Sequence, residues 1–464
     1  MDRISDLPKD ILQRILYLLS QEDAVRTSVL SKSWRYIWCT RPNLDFSDSN
    51  FKGNNQQFLS TVGNTLQLYS DQRLCLDEFR LSILLVDHEW VSLLEKWIPL
   101  LADMGVKDFR LSIPSDYSNR EFIDLPVVVF KAESLKSLHL YRFNLGKNIP
   151  ENILFVRLQV LQLSHVVLHE RGVFDKIMSS CPLLTDLWLQ ECKGLETVKL
   201  EKKLHKYLKH FTFINRTNHA GCSIEIDVPT LVTIRIIGCK IRFNCREFSN
   251  LKIITLRGVE IVQSQLCIDA PNILYFQYSG SLIPSISFAS ASMVSNLSLY
   301  IRDDDVEEDA RSWFLGLSKL LHGLRRSEIS LSIFQFATNN VHVVEDEILV
   351  QDIINGGNKP VVVLCLELDI GHLSSFSSFL NGLFCICRPS YLIPRWVHGP
   401  WSKERKAKEL DEFFCKIQKM KESGNEEIRR YLEDLTIEGF DKEFRVRLQW
   451  RDRDCECNSK LSES

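Results

Sequence analysis

Apolar positions along the chain follow two different periods. Over the first 46 residues they recur at helical spacing, with Ile11, Leu12, Ile15, Leu16 and Leu19 making one broad face. Pro8 suits the first turn of that helix, where its missing N–H costs nothing. Ser20 with Asp23 three residues on predicts the cap of a second helix, whose apolar side is Val25, Val29 and Leu30. Ser31 can cap a short third helix carrying Trp34 and Trp38, and Pro42 stops it. Three helices this small expose more apolar surface than they can bury among themselves. The surplus has to be covered by the rest of the chain or by a partner, which points to an interaction module.

Asp48–Gln57 is polar and reads as a linker or loop. From residue 76 the period changes to apolar, two residues, apolar, one residue, apolar. It fits Leu76/Phe79/Leu81, Val106/Phe109/Leu111, Leu135/Leu138/Leu140, Leu158/Leu161/Leu163 and Leu184/Leu187/Leu189. It continues through Leu208/Phe211/Phe213, Leu231/Ile234/Ile236, Leu251/Ile254/Leu256, Ile273/Phe276/Tyr278 and Val294/Leu297/Leu299. The starts lie 30, 29, 23, 26, 24, 23, 20, 22 and 21 residues apart, close to the ~20–29-residue period of leucine-rich repeats. The last two positions of each triplet share one side of a short strand, and the first turns in at the corner before it. Cys192, Cys239 and Val259 each fall three residues after a triplet, so a small apolar side chain is expected at that corner. Stacked units of this kind form a parallel sheet over a continuous core.

Asp303–Asp309 interrupts the pattern as a solvated loop or helix start. Strands are expected again at Ile329–Ile333 and Val361–Ile370. After Pro389 come Trp396 and Trp401 in a loop. Ser402–Glu422 then predicts one amphipathic helix with a stripe of Leu410, Phe413, Phe414, Ile417 and Met420. Leu432/Leu435/Ile437 repeats the solenoid spacing once more. Strands end near Trp450, and Cys455–Ser464 reads as a frayed tail.

Composition narrows the function. The 464 residues carry 57 Lys+Arg against 60 Asp+Glu, a formal charge of −3, which argues against a general binder of nucleic acid or anionic membrane. The start MDRISDLPKD has no apolar h-region, so secretion is not expected and the 14 cysteines should stay reduced in cytoplasm or nucleus. No apolar run reaches the ~18 residues of a membrane span.

The search for catalytic motifs is negative. There is no GxxxxGK[ST], HExxH or GxSxG. His88-Glu89 lacks the second histidine of a zinc helix. His165 and His169 flank Val166–Leu168 just after a repeat strand, so a loop is expected there rather than a metal site. Cys385/Cys387 lie in an apolar stretch and read as core, and Cys455/Cys457 lie in the tail. Asn215-Arg-Thr217 and Asn296-Leu-Ser298 match sequons that an intracellular chain would not use. His372 and His398, each beside a glycine, read as loop residues rather than an active site.

The order Asp6-Leu7-Pro8, Ile11-Leu12, Ile15-Leu16, Leu19, Ala24-Val25-Arg26-Thr27-Ser28-Val29-Leu30-Ser31-Lys32-Ser33-Trp34-Arg35, Trp38 resembles an F-box in its plant form. Cys181-Pro182-Leu183-Leu184 and Ala270-Pro271-Asn272 resemble the leucine-rich repeats of plant F-box proteins. Val361–Tyr391 with Leu432–Phe440 resembles the FBD element that ends many of them; beyond Phe440 the chain departs from the family's terminal helix and alternates like a strand. The resemblance implies an α+β to α/β fold: a three-helix F-box over residues 1–46, a linker and first connecting helix over 47–75, an irregular leucine-rich-repeat solenoid over 76–360, an FBD-like cap over 361–450 and a tail over 451–464. It implies a non-catalytic, cofactor-free substrate receptor that docks on a Skp-type adaptor, and through it a cullin, and presents an unidentified target protein for ubiquitination. Leu7, Pro8, Ile11, Leu12, Ile15, Val25, Leu30 and Trp34 are expected at the adaptor interface or as its immediate support, with Ile15, Leu16 and Trp38 also able to serve the module's own core. Neither nucleic acid nor membrane is an expected partner. The alternatives are a repeat scaffold acting outside ubiquitination and an enzyme built in the C-terminal region.

Overall fold

A computed structural model describes residues 7–19, 23, 26–27, 29, 32–48, 55–83, 89–113, 122–145, 149–169, 172–216, 222–262, 266–280, 283–284, 286–288, 294–301, 310–335, 359–369, 376–395, 403–423, 431–438 and 445–451. The chain divides into two compact units, Met1–Val228 and Pro229–Ser464.

The first unit opens with helices α1 (Lys9–Leu18) and α2 (Lys32–Cys39). Between them Asp23, Arg26 and Thr27 are helical, while Ser20, Val25, Leu30 and Ser31 lie outside the described residues. A parallel sheet follows in the order β1 (Asn43–Ser47), β2 (Glu78–Ser82), β3 (Asp108–Ser112), β5 (Ser137–Tyr141), β7 (Val160–Ser164), β9 (Asp186–Gln190) and β11 (His210–Ile214). In-register stacking puts Phe79, Phe109, Leu138, Leu161, Leu187 and Phe211 in one inward row and Leu81, Leu111, Leu140, Leu163, Leu189 and Phe213 in the next, all buried. The corner residues Leu76, Val106, Leu135, Leu158, Leu184 and Leu208 are buried with them.

Two devices lock one repeat to the next. At each strand entry a carbonyl accepts two successive N–H groups: Pro42 O takes Asp77 and Glu78, Asp77 O takes Lys107 and Asp108, Lys107 O takes Lys136 and Ser137. At strand exits Arg142, His165 and Glu191 adopt positive φ of 65°, 53° and 50°, and their N–H groups bond the carbonyls of Ser164, Gln190 and Ile214 in the next repeat.

Behind the sheet the chain returns by helices α3 (Asn55–Asp71), α4 (Glu89–Asp103) and α5 (Val173–Ser179), and by short strands β4 (Ile123–Asp124), β6 (Phe143–Leu145) and β8 (Val167–Leu168) in one three-stranded sheet. Strands β10 (Thr197–Glu201) and β12 (Ser223–Asp227) pair parallel there too. These return strands, two to five residues long, lie outside the triplet series. In the connection from β10 to β11, buried His205 accepts the Glu201 N–H on Nδ1 at 2.9 Å.

In the second unit the parallel order is β13 (Thr233–Ile237), β15 (Ile253–Arg257), β18 (Tyr275–Gly280), β20 (Val294–Ile301), β21 (Glu328–Gln335), β22 (Val361–Asp369) and β23 (Cys387–Arg395). Strands β25 (Arg445–Trp450) and β24 (Leu432–Glu438) close it antiparallel. Helices α6 (Ala310–Gly323), α7 (Phe376–Ile386) and α8 (Lys403–Ser423) are the helices among its described residues.

Two expected triplets are corrected here. Val294 does not turn in at a corner but opens β20, exposed and opposite Tyr275. The frame is displaced by two residues, so that Leu297 faces Tyr278 and Ser295 takes the inward place opposite Phe276. Ser295 is fully buried there because its Oγ hydrogen bonds Ser327 Oγ at 3.0 Å. Leu432/Leu435/Ile437 is not a repeat strand; it lies in the antiparallel edge strand β24, with Ile437 exposed. The amphipathic helix of the C-terminal region is present as α8, burying Phe413, Ile417 and Met420. Asp303–Asp309, Trp396, Trp401, His372, His398 and Cys455–Ser464 lie outside the described residues.

The close packing of the return strands gives a test by glycine. Gly194 has φ 83° and a Cβ there would stand 1.9 Å from Leu168 O. Gly258 has φ 56° but open space around it. Gly258→Ala should cost about 1 kcal/mol from backbone strain alone, and Gly194→Ala several times more, read as shifts in urea midpoint. Equal costs would contradict this packing.

His205 gives a second test. Burial lowers its pKa, an effect only partly offset by the bond from the Glu201 N–H. The neutral ring is therefore favoured in the fold. Its stabilisation is complete above the unfolded value of about 6.5 and is lost as pH falls through the lower folded value. His205→Asn keeps an acceptor without titrating, so the stability of the parent relative to this variant should drop between pH 7.5 and 5.5. A difference independent of pH would contradict it.

Candidate interaction face

The N-terminal helices present two faces with opposite environments. Pro8 starts α1, its carbonyl accepting the N–H groups of Ile11 and Leu12 at 3.0 and 3.1 Å. One side of α1 buries Leu12 and Leu16 against Trp34 and Ile37 of α2, with Ile15 and Trp38 packed on that cluster. On the other side Leu7, Ile11, Leu18 and Leu19 are exposed, Leu18 at 79%. Val29 at 84% and Tyr36 at 56% add to the uncovered apolar surface of the module. Lys9 Nζ sits 4.9 Å from the Tyr36 ring centroid, a cation–π contact that holds the tyrosine without covering it.

The helix pair is fastened to the sheet by polar contacts. Tyr17 donates its hydroxyl to Glu78 Oε1 on β2 at 2.5 Å, and this bond raises the Tyr17 pKa. Arg41 is buried at the junction of α2 and β1. Its guanidinium lies 5.1 Å from the Trp38 ring, its Nε donates to Asn43 O at 2.6 Å, and its own carbonyl accepts the Tyr69 hydroxyl from α3 at 2.7 Å. Desolvation lowers the Arg41 pKa and raises that of Tyr69. Arg41/Leu44/Phe46 has the same spacing as the later triplets, with a buried arginine in the corner place. An arginine is not an apolar signal, and so the strand series read from sequence begins one strand late.

The structure places the eight expected contact residues unequally. Leu7, Pro8 and Ile11 are exposed and Ile15 is half-buried. Leu12 and Trp34 are buried in the module's own cluster with Leu16 and Ile37. Val25 and Leu30 lie outside the described residues. Leu18 and Tyr36 are exposed neighbours that helical spacing alone does not single out.

A second surface is the outward row of the first sheet. Register aligns Asp45, Arg80, Arg110, His139, Gln162, Trp188 and Thr212 across it. Arg110 makes a two-point pair with Asp108 at 2.8 and 2.7 Å, and its pKa is raised chiefly by that bond. Arg80 pairs with Glu78 at 3.3 Å. The His139 ring spans Ser137 Oγ and Gln162 Oε1 at 2.7 and 2.8 Å, and burial lowers its pKa. This is a row of side chains held in place by their own neighbours.

Reactive chemistry is muted elsewhere. His165 is a positive-φ turn residue in edge contact with Tyr141. Cys385 and Cys387 are buried, and burial pushes the Cys387 thiol up to about 12. Cys192 at its corner is half-buried, with its thiol also pushed up to about 12 by burial and its Sγ 3.4 Å from Leu163 O. Asn296 of the second sequon donates to the Tyr275 hydroxyl at 3.0 Å. Among the described residues no group of three His, Cys, Asp or Glu side chains is placed to hold a metal ion, and no helix is long and apolar enough to cross a membrane.

Comparison with known families agrees with this division. Residues 4–46 match the F-box domain, and residues 94–216 match the family described as FBD-associated F-box protein At5g56370, LRR repeats. The chain is 34% identical over 51% of its length to the F-box/FBD/LRR-repeat protein At2g05300 of Arabidopsis thaliana, covering 51% of that protein. It is 32% identical over 50% of its length to the F-box/LRR-repeat protein At3g59200 of Arabidopsis thaliana, covering 45% of it. The chain thus spans about half the length of these curated relatives.

The two faces of α1 are separable by mutation. Leu12→Ala and Trp34→Ala should each cost about 2–5 kcal/mol of stability, whereas Ile11→Asp and Leu18→Asp should shift it by less than about 0.5 kcal/mol. Chemical denaturation monitored by tryptophan fluorescence measures both. Large losses from the exposed pair would show that their face is covered.

Proposed function

We propose that this chain, which carries an F-box and FBD-associated leucine-rich repeats, is the target-recognition subunit of a Skp–cullin–F-box ubiquitin ligase. The observation that carries the reading is the uncovered apolar face of the N-terminal module: Leu7, Pro8, Ile11, Leu18, Val29 and Tyr36 stand in solvent, while Leu12, Leu16, Trp34 and Ile37 are buried against one another. An aliphatic side chain buried on docking contributes about 1.5–3 kcal/mol. Several together offset an association cost of about 4–15 kcal/mol. Leu12, Ile15 and Trp34 support this face from within; Val25 and Leu30 complete the proposed docking set.

The receptor makes and breaks no bond. It holds a target near the ubiquitin-charged enzyme, raising effective concentration and orienting the acceptor lysine. In this reading the outward row around Arg80, Arg110, His139 and Trp188 belongs to the target-facing surface. Arg and Trp are the residue types that most often dominate protein interfaces, and these are pre-positioned by Asp108, Glu78 and Gln190. The segment from β22 to β25 takes the place of the FBD-like cap. The protein acts inside the cell, where Skp-type adaptors and cullins reside.

The test is co-purification of the full chain with a Skp-type adaptor and a cullin. The parent should retain both. Leu7→Asp with Ile11→Asp should lose the adaptor at least tenfold, with an unchanged melting midpoint. Undiminished adaptor binding by that variant overturns the docking assignment. Adaptor binding without cullin would instead favour a scaffold outside the ligase.

A further inference from the structure

We propose that the second unit contains a binding site for a phosphate-bearing anion, in the groove between the end of α6 and the start of β22. The groove has a volume of about 580 Å³ and is lined by His322, Arg325, Arg326, Lys359, Pro360 and the Val361–Val362 strand entry. This size falls within the range of small-ligand sites. Four of its lining residues are basic, and none of its described lining residues carries a carboxylate.

That concentration stands out in a chain whose net charge is −3. Several cations of the second unit are held by acidic partners: Lys240 with Glu260, Arg395 with Glu367, Lys421 with Asp434, Arg445 and Arg447 with Glu438, Arg451 with Glu433. Arg325 and Arg326 make no ion pair among the described residues. Cations near the last turn of a helix are favoured by its dipole, and this accounts for a basic residue after α6. It does not account for two adjacent arginines, nor for Lys359, which reaches the same groove from a different segment.

The groove is also preorganised. Leu320, Leu321 and Leu324 are buried beneath it. The turn bearing both arginines is closed by Ser327, whose N–H and Oγ both donate to Leu324 O, at 2.8 and 2.5 Å. Ser327 Oγ is in turn bonded to the buried Ser295 Oγ. The arginines therefore start from a fixed turn. A single carboxylate would satisfy one guanidinium. A phosphate group offers more negative charge and three acceptor oxygens, and so can engage guanidinium forks and the lysine together. The volume leaves room for more than one such group.

Two sources present this chemistry, a small polyphosphorylated molecule and a multiply phosphorylated peptide, and the test separates them. The purified full chain is titrated calorimetrically with sodium tripolyphosphate, and in a parallel arm with a peptide containing two adjacent phosphoserines, at constant ionic strength. Saturable one-to-one binding of either probe is expected, and the stronger one identifies the source. Arg325→Gln/Arg326→Gln/Lys359→Gln should weaken it at least tenfold, while Arg325→Lys/Arg326→Lys should retain part of it. Lys240→Gln, away from the groove, should leave it unchanged. All three variants should keep the parent's melting midpoint, since Arg325, Arg326 and Lys359 are exposed and Lys240 lies on the surface. Absence of binding by both probes, or equal binding by the triple glutamine variant, overturns the proposal. The experiment needs neither adaptor nor cullin, so its outcome is independent of the ligase reading.

Discussion

Inward apolar rows stacked in exact register are the constraint from which the rest of the structure follows. Each repeat buries three side chains and leaves the alternate ones outward, so no repeat can slip without moving its apolar set to solvent. The shared carbonyls at strand entries and the positive-φ residues at strand exits reinforce the same register with backbone hydrogen bonds. Arg142, His165 and Glu191 accept left-handed backbone conformations that disfavour a Cβ by roughly 1–2 kcal/mol each. Their persistence shows how strongly neighbouring repeats dictate the turn.

The same stack provides the platform for the N-terminal helices. Strand β1 continues directly from α2, and Arg41 lies at their joint with its guanidinium on Trp38 and its carbonyl on Tyr69. Tyr17 adds a second tie to β2. The helix pair thus buries Leu12, Leu16, Trp34 and Ile37 on its inner side and is fastened below, while Leu7, Ile11 and Leu18 stay exposed. The exposed apolar face and the outward row share one compact unit, and Arg80 of that row lies on β2, the strand to which Tyr17 is tied.

Much of this was legible from periodicity. Where the inward positions are Leu, Ile or Phe, the triplets locate the strands of the first sheet, and the helical face of α1 is equally plain. Legibility fails where a polar side chain takes an inward place. Arg41 hides the first strand behind a buried guanidinium. Ser295, satisfied by Ser327, shifts the apparent frame of β20 by two residues. The return strands fall outside the triplet series, and β24 imitates the triplet spacing while sitting at an antiparallel edge. On α1, apolar character alone could not separate Leu12, which is buried, from Ile11, which is not; only the position of α2 divides them.

Hydrogen–deuterium exchange of the full chain, alone and with a Skp-type adaptor, measures the central claim most directly. Amides in residues 7–19 and 32–39 should gain protection when the adaptor is added, while those of β5 and β7 keep the rates they have alone. Unchanged exchange in both helices, or protection confined to the sheet, would contradict the account.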